Sequence, residues 1–359
     1  MPISAPTGSL RLLPEPRRAR LPGFRSDAAH MPHRKGIFAA RRVLAGLLFS
    51  TLLTGPVMAQ HAAHHPEHPA TQPPVQHPVP NTAAAHHEAH ADAPGAVHPF
   101  RLGNLEAWSL KDSDIALPLG ATRTPWNDPS IPAILTSAGL APDAIPLSNQ
   151  PLLLRGEGRV VLIDTGAGSS PGAPGGLQTA LAAAGVCADD VTDVLITDYL
   201  DRHLLGLLTP EGGLAFPNAQ VHIPEEDWEA MLPYPGDAAL VAAVTPNVAP
   251  FKPGAVITPN ITAVPLAGHT ESHTGYEIVS GSDRLLYVGD ALHTPLISVA
   301  HPEWTNTWDR DEAAGVATRQ ALLARAAREN LRLFSGHFPW PGVGRVETSG
   351  AGYVWRPER

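Results

Sequence analysis

The chain has 359 residues, of which 43% are hydrophobic and 16% are charged, so it can bury a core of one large domain or two ordinary ones. Its formal net charge is −9, with nine basic and two acidic side chains in residues 1–59 and 16 basic and 32 acidic side chains in the rest. Polyanion binding depends on neutralising phosphates with basic side chains, so we expect neither a nucleic-acid partner nor an anionic membrane surface.

The N-terminal region has the pattern of a secretory signal peptide. Met31 opens the cationic stretch MPHRKGIFAARR, the apolar run VLAGLLFSTLL follows at 43–53, and small residues precede a cut after Ala59. The run is shorter than the ~20 residues that cross a bilayer comfortably, although a retained membrane anchor is the alternative. Residues 1–30 resemble an upstream extension, with Met31 as the start. The sequence predicts a periplasmic or secreted protein without membrane insertion after processing.

Residues 60–98 form a segment rich in proline, alanine and histidine, with no apolar period of a helix or strand. Such a composition buries too little apolar surface to offset its ordering entropy, which predicts a disordered linker. Nine histidines fall between His61 and His98. They either capture metal weakly or belong to a solvated spacer, and the sequence leaves both alternatives open.

From residue 99 to 359 the pattern changes to short apolar strands, turns and occasional helices. A helix is predicted for LQTALAAAGV (177–186) and a longer one for 311–330, where apolar residues recur at helical spacing. Buried strands are predicted for these stretches: RVVLI (159–163), VTDVLIT (191–197), AQVHIP (219–224), ITAVPL (261–266), YEIVS (276–280) and RLLYVGD (284–290). Strands in both halves with helices between them favour one layered α/β domain.

Five motifs follow one another in the order typical of the metallo-β-lactamase fold. They are VLIDTGAG, ITDYLDRHLLGLL, GHTESHTGYEI, LLYVGDALH and FSGHFPWPG. Residues 100–359 resemble this family, and FRLGNLEAW, LAFPNAQVHI and the C-terminal GHFPWPGVGRVETSGAGYVWRP resemble its secreted methyl parathion hydrolase and lactonase branch. The resemblance implies a four-layer αββα sandwich.

The resemblance also implies a metal centre. The family binds two divalent ions, suited to zinc, through histidine nitrogens and carboxylates, and the ions activate a water molecule that attacks the substrate. Three later ligand positions match this chain, namely His269, the bridging carboxylate Asp290, and His337. Asp164 matches a carboxylate that orients the ligands from behind.

The family's H-x-H-x-D-H segment departs from its pattern here. Its four ligand positions correspond to Asp198, Leu200, Arg202 and His203, so only His203 is retained. Leu200 has no metal-binding atom, and Arg202 places a permanent cation where the family has an anionic ligand. At an effective dielectric constant of 20, two unit charges 4 Å apart repel by about 4 kcal/mol. We therefore expect one zinc or similar ion per chain, held by His203, Asp290 and His337, with His269 and Asp198 completing or flanking the site.

The predicted function is a metal-dependent hydrolase of a small-molecule lactone, ester or phosphotriester. Asp198 and Arg202 are the candidate catalytic residues, Arg202 as a clamp on a developing oxyanion. The alternative is a non-catalytic binding module in which an Arg202–Asp pair replaces the metal site. His273 and His293, near these motifs, are expected to lie behind the ligands or at the surface. The aromatic residues near the site motifs either line a pocket or pack in the core, namely Trp304, Trp308, Phe338 and Trp340.

Overall fold

The computed structural model describes residues 95–120, 124–169, 175–350 and 352–358. All of them lie within the unit Val79–Arg359. The predicted leader, and the predicted linker up to residue 94, lie outside the described residues. Among the described helices, none is both long and apolar enough to cross a membrane.

The described residues form strands that outnumber the helices. The strands are β1 (Val97–Leu102), β2 (Leu105–Leu110), β3 (Ser113–Pro118), β4 (Ala144–Asn149), β5 (Leu152–Gly156), β6 (Arg159–Ile163), β7 (Asp193–Leu195), β8 (Gln220–Pro224), β9 (Val248–Phe251), β10 (Val256–Thr258), β11 (Ile261–Pro265), β12 (Thr274–Ser280), β13 (Asp283–Tyr287), β14 (Arg332–Phe334), β15 (Val343–Ser349) and β16 (Gly352–Pro357). The α-helices are α1 (Ile131–Ser137), α2 (Leu177–Ala183), α3 (Asp201–Leu204), α4 (Glu225–Met231), α5 (Ala238–Val244) and α6 (Glu312–Glu329).

Two seven-stranded sheets pack face to face. The first has the strand order β1-β2-β5-β6-β7-β8-β9 and the second the order β10-β11-β12-β13-β14-β15-β16, while β3 and β4 form a separate two-stranded hairpin. The inner faces of both sheets share one buried core, with these contributors among others: Leu102, Ala107, Leu152, Tyr276, Ile278 and Phe334. Burial of these side chains is the main favourable term that holds the sheets together.

Helices cover both outer faces of the two sheets. Leu181 of α2, Trp228 of α4 and Leu240 of α5 belong to the core on the first sheet. Leu322 and Leu323 of α6 belong to the core on the second. The order helix, sheet, sheet, helix is the αββα sandwich that the sequence predicted, and the fold prediction is confirmed.

The predicted elements occur close to their expected bounds. The helix predicted over 311–330 is α6, which begins after Asp311, whose carboxylate accepts a hydrogen bond from the N–H of Ala314. It ends at Glu329, and the following residue, Asn330, adopts the left-handed conformation typical of the position after a helix. The strand predicted over 191–197 is shorter, since only Asp193–Leu195 pair and the following residues leave the sheet to form the site.

Candidate metal centre

The site lies where the ends of parallel strands from both sheets meet. Strands β6 and β7 are parallel neighbours in the first sheet, as β13 and β14 are in the second. Parallel neighbours end at the same edge of a sheet, so Asp164 after β6 accepts a 3.0 Å hydrogen bond from the N–H of Thr197 after β7. By the same geometry, Asp290 after β13 lies 2.8 Å from His337 after β14.

Asp290 lies at the centre of the cluster and presents one carboxylate oxygen to each side. Its Oδ1 is 2.8 Å from Nε2 of His337 and 3.3 Å from Nε2 of His203. Its Oδ2 is 3.1 Å from Nε2 of His269 and 3.4 Å from Nε2 of His293. Two three-residue groups therefore share Asp290, and in each the ligand atoms lie close enough together to contact one ion.

Three of the four histidines are oriented by an acceptor behind the ring. The Nδ1 atom of His203 is 2.9 Å from Asp164 Oδ2, that of His337 is 2.8 Å from the carbonyl oxygen of Ser148, and that of His269 is 3.3 Å from Asp309 Oδ1. An acceptor at Nδ1 places the proton there and leaves the Nε2 lone pair facing the site. This arrangement is the usual one for a metal-binding histidine.

Asp164 has the orienting position that the resemblance implied. Besides His203, its carboxylate accepts hydrogen bonds from Thr197 and from the hydroxyl of Tyr287, at 2.9 Å for the latter. Asp164 itself has φ of 60°, which aspartate tolerates better than most residues because its short polar side chain bonds locally. It thus connects the ends of β6, β7 and β13.

His273 supports the site through the backbone. Its Nδ1 lies 3.0 Å from the carbonyl oxygen of Leu266, and its Nε2 accepts a 2.9 Å hydrogen bond from the N–H of Asp290. A side chain at Gly289, which has φ of 50°, would place a Cβ 2.5 Å from the same Nε2. His273 therefore lies behind Asp290, as expected, and its Nε2 is engaged by a donor.

The charges of the cluster shift one another's pKa. Burial raises the pKa of Asp290, but the four histidines around it hold that pKa well below its usual range. Burial lowers the pKa of His269 and His203, whereas the neighbouring carboxylates raise it to about 10 for His269 and well above 6.5 for His203. For His293, burial dominates and lowers the pKa to about 4. An ion that binds here therefore competes with protons on His203 and His269.

The donor atoms fit a divalent ion. Several buried side-chain atoms of the described residues have no hydrogen-bond partner and lie around Asp290: Asp198 Oδ2, His203 Nε2, His269 Nε2, Asp290 Oδ1 and His293 Nε2. Buried polar atoms are normally paired, so a cluster of unpaired ones indicates a missing ligand. Imidazole and carboxylate are a set that zinc accepts at about 2.0–2.2 Å, which places tetrahedral ligands roughly 3.4 Å apart.

The three substituted positions lie at the same site but do not form the predicted ion pair. Asp198 is fully buried, with Oδ2 3.8 Å from Nε2 of His203. Arg202 is exposed, and among the described residues it has no ion pair with Asp198 or Asp290. The predicted Arg202–Asp pair is therefore wrong, because the arginine lies at the mouth of the site rather than between the carboxylates. Leu200 lines the same mouth.

A cavity of about 430 Å³ opens onto the candidate metal-binding residues His203, His269, Asp290 and His337. Its apolar wall comprises Ile115 and Leu117 of β3, Leu147 of β4, Leu200 and Trp308. Of the aromatic residues singled out in the sequence, Trp308 lines this cavity, whereas Phe338 is buried in the core beside α6. A small molecule with an apolar group can therefore reach His203, Asp290 and His337.

Sequence reasoning missed Asp309, Asn306 and the part played by His293. These residues belong to the loops around α6 and after β13, where TNTWDRD has no regular spacing that would connect it with GHTESH. Asp309 is also 3.5 Å from the buried guanidinium of Arg319. A buried arginine requires an acid partner, but the sequence alone does not reveal that Arg319 is buried, so it gave no usable signal for Asp309.

Comparisons with known proteins agree with this geometry. Residues 215–337 match the family description "Metallo-beta-lactamase superfamily". This part of the chain is therefore similar to the metallo-β-lactamase superfamily. No curated protein was found to match it in sequence.

Solved structures also resemble the chain over most of its length. One is AidC, a dizinc quorum-quenching lactonase in complex with the product N-hexanoyl-L-homoserine, at 26% identity and a TM-score of 0.68, covering 74% of this chain and 98% of AidC. Another is hydrolase AbOPH, at 21% identity and a TM-score of 0.68, covering 75% of this chain and 99% of AbOPH. A third is a probable metal-dependent hydrolase from Staphylococcus aureus, at 17% identity and a TM-score of 0.61, covering 72% of this chain and 100% of that protein. AidC, a lactonase, is consistent with the predicted hydrolase class, while the other two neighbours support the fold.

Proposed function

We propose that the protein is a hydrolase of lactones, esters or phosphotriesters that works with one divalent ion. The ion would be held by His203 Nε2, His337 Nε2 and Asp290 Oδ1. The observation that carries this proposal is the cluster of buried, unpaired nitrogen and oxygen atoms at the base of a cavity with an apolar wall. Three protein ligands with an open position are the usual composition of a catalytic zinc site.

The chemistry of the site divides between the ion and the side chains. A bound divalent ion lowers the pKa of water and polarises a carbonyl or phosphoryl oxygen. Asp198 Oδ2, buried and without a hydrogen-bond partner, lies beside His203 and accepts the proton of the attacking water. Arg202 at the cavity mouth stabilises the negative charge that develops on the substrate oxygen. Water's oxygen bonds to the acyl carbon or phosphorus, the bond from that atom to the leaving oxygen breaks, and the leaving oxygen takes the proton that Asp198 accepted from water.

The cavity favours a substrate with an apolar acyl or aryl group. Leu117, Leu147 and Trp308 face the same space as the metal-binding histidines. The structurally similar AidC is described with an acylated homoserine product, which also pairs a hydrolysed lactone with an apolar chain. A lactone with an acylated amino group, or an alkanoyl aryl ester, is therefore the first substrate class to assay.

The test combines metal analysis with turnover. Protein purified in the presence of zinc should contain one more ion per chain than the variant Asp290→Asn, which carries the same histidine-rich segment and so corrects for metal bound outside the site. The parent should hydrolyse an N-acyl lactone, an aryl ester or an aryl phosphotriester, and Asp290→Asn should not. If the folded parent hydrolyses none of the three substrate classes, the proposal is contradicted.

Asp198 and Arg202 are separated by their effects on that assay. We expect Asp198→Asn to lower kcat by about 10²–10⁴-fold, the range for a general base, without changing the ion count. Loss of an oxyanion donor typically lowers kcat by about 10²–10³-fold, which is the expectation for Arg202→Ala. An unchanged kcat in either variant removes that residue from the mechanism.

We also propose that the protein is exported, on the basis of the cationic and apolar succession before Ala59. Mass spectrometry of protein from the native host should give an N-terminus near Gln60. Intact residues 31–59 in a soluble cytoplasmic fraction contradict export.

A further inference from the structure

His293 differs from the other three histidines of the site in what lies behind its ring. His203, His269 and His337 each have an acceptor at Nδ1. The Nδ1 of His293 instead lies 3.4 Å from the side-chain nitrogen of Asn306. A nitrogen of an amide group donates, so this contact favours an unprotonated Nδ1 on His293.

The orientation of the Asn306 amide is fixed by a second contact. Its oxygen accepts a 2.9 Å hydrogen bond from the backbone N–H of Trp308. Rotating the amide by 180° would place the NH₂ group against that N–H and leave two donors facing each other. Asn306 is fully buried, so no solvent would relieve the conflict. The NH₂ group therefore faces His293.

The ring of His293 is also held against rotation. It is fully buried and contacts the rings of Trp126 and Trp308, with centroids 6.0 Å and 5.2 Å away. With Nδ1 engaged by a donor, the neutral ring carries its proton on Nε2. That nitrogen lies 3.4 Å from Asp290 Oδ2 and has no hydrogen-bond partner of good geometry. An N–H group rather than a lone pair faces the carboxylate.

We propose that the Asn306–His293 pair keeps the centre mononuclear. Distances alone would allow an ion between His269, Asp290 and His293. The Nε2–H of His293 has no lone pair for that ion, and His269 and Asp290 alone are too few ligands, so with the side chains of this sequence only the side of Asp290 Oδ1 binds metal. Asn306 is thus a positioning residue that sets the number of ions, and the inference rests on the proposed one-ion hydrolase.

The variant Asn306→Asp tests this directly, because it exchanges the donor for an acceptor at nearly constant size. A carboxylate behind Nδ1 places the proton there and turns the Nε2 lone pair towards Asp290. Zinc content, counted above that of Asp290→Asn, should rise from one to two ions per chain. The double variant Asn306→Asp with His293→Gln carries the same added charge without the ring and should return to one ion.

A readout independent of metal is the tautomer of His293 in the parent. Long-range proton–nitrogen NMR of ring-labelled protein, with His293→Gln identifying the signal, should give a protonated Nε2 in zinc-depleted and zinc-loaded parent alike. Any one of four results overturns the inference: two ions in the parent, a His293 protonated at Nδ1, one ion in folded Asn306→Asp, or two ions in the double variant. A parent without any site-bound ion instead contradicts the proposed function. If Asn306→Asp does not fold, the NMR result and the parent's ion count still decide.

Discussion

Each metal-binding histidine depends on the residue behind its Nδ1 atom. Asp164 holds His203, a proposed ligand, while Asp309 holds His269, which lies on the other side of Asp290. Loss of such an orienting partner typically weakens metal binding about 10–100-fold. We therefore expect Asp164→Asn, which retains the size and tolerates φ of 60°, to weaken zinc binding by that factor in a chelator competition titration.

Asp309→Asn is the matched control for this prediction. It changes the same chemical group on the opposite side of the site, so zinc affinity should remain within a few-fold of the parent. If the two variants lose zinc affinity equally, the ion contacts His269 as well. That result would contradict the assignment of His203, Asp290 and His337 as the ligand set.

A second residue-scale effect concerns Asp227 on α4, which is 2% exposed and accepts a hydrogen bond from Ser272. Burial, with the nearby charge of Asp198, raises its pKa from 3.8 to about 7. Because the folded pKa lies above the unfolded one, the unfolded chain loses this proton first, and stability falls as pH rises through about 7. Between pH 5 and pH 8 the free energy of unfolding should fall by about 3 kcal/mol through this group.

Asp227→Asn removes that dependence because an amide resembles the protonated acid and does not titrate. Urea unfolding at the two pH values measures the difference. Glu226→Gln, on the exposed side of the same helix, should retain the parent's pH dependence. If Asp227→Asn loses as much stability as the parent between pH 5 and pH 8, the carboxyl group does not titrate in this range.

At the scale of elements, the hairpin β3–β4 supplies the apolar wall of the cavity. Among the described strands, β3 and β4 pair only with each other, and their side chains Ile115, Leu117 and Leu147 face the site. The sequence did not predict this hairpin, because Pro118 ends β3, Pro146 lies within β4, and proline is unusual inside a sheet. Proline is tolerated at strand ends and on free edges, and only the finished fold identifies these positions as such.

The hairpin should determine how the enzyme discriminates acyl chains. Each buried CH₂ contributes about 0.8 kcal/mol, or roughly fourfold in kcat/KM. Across a series of alkanoyl esters, Leu117→Asn should reduce the increase in kcat/KM per added CH₂, and it should have little effect on kcat/KM for the shortest ester. Ala116→Asn, exposed on the other face of β3, should retain the parent's chain-length dependence. If Leu117→Asn lowers kcat/KM by the same factor for every chain length, the acyl group binds elsewhere.

At the scale of the whole molecule, motif order predicted the fold and placed His203, His269, Asp290, His337 and Asp164 at one site. These residues follow strands, and strand ends at one sheet edge are predictable once the fold is known. The sequence could not reveal the position of Arg202, since a long side chain can turn inwards or outwards from the same backbone. It also could not reveal Asn306, because an amide orientation depends on contacts from a distant loop.

The fold also predicts that the altered segment can be reversed. Leu200 and Arg202 line the cavity beside His203, and Asp198 Oδ2 is 3.8 Å from Nε2 of that residue, so the backbone still presents all three positions to the site. The triple variant Asp198→His, Leu200→His and Arg202→Asp supplies two nitrogen ligands, and its exchange of the Arg202 cation for an anion favours a second ion electrostatically. With His269 already in place, we expect two zinc ions per chain above the Asp290→Asn value, with His293 still protonated at Nε2.

The control is the double variant Asp198→His with Leu200→His, which retains the guanidinium of Arg202. Because that cation opposes an ion nearby, the double variant should bind its second zinc more weakly than the triple variant, and the gap should narrow at high salt, where exposed charges are screened. Elemental analysis and a chelator competition titration measure both quantities. A folded triple variant that still binds one ion would mean that the segment 196–203 is no longer positioned as a metal-binding loop, and that more than its side chains has changed.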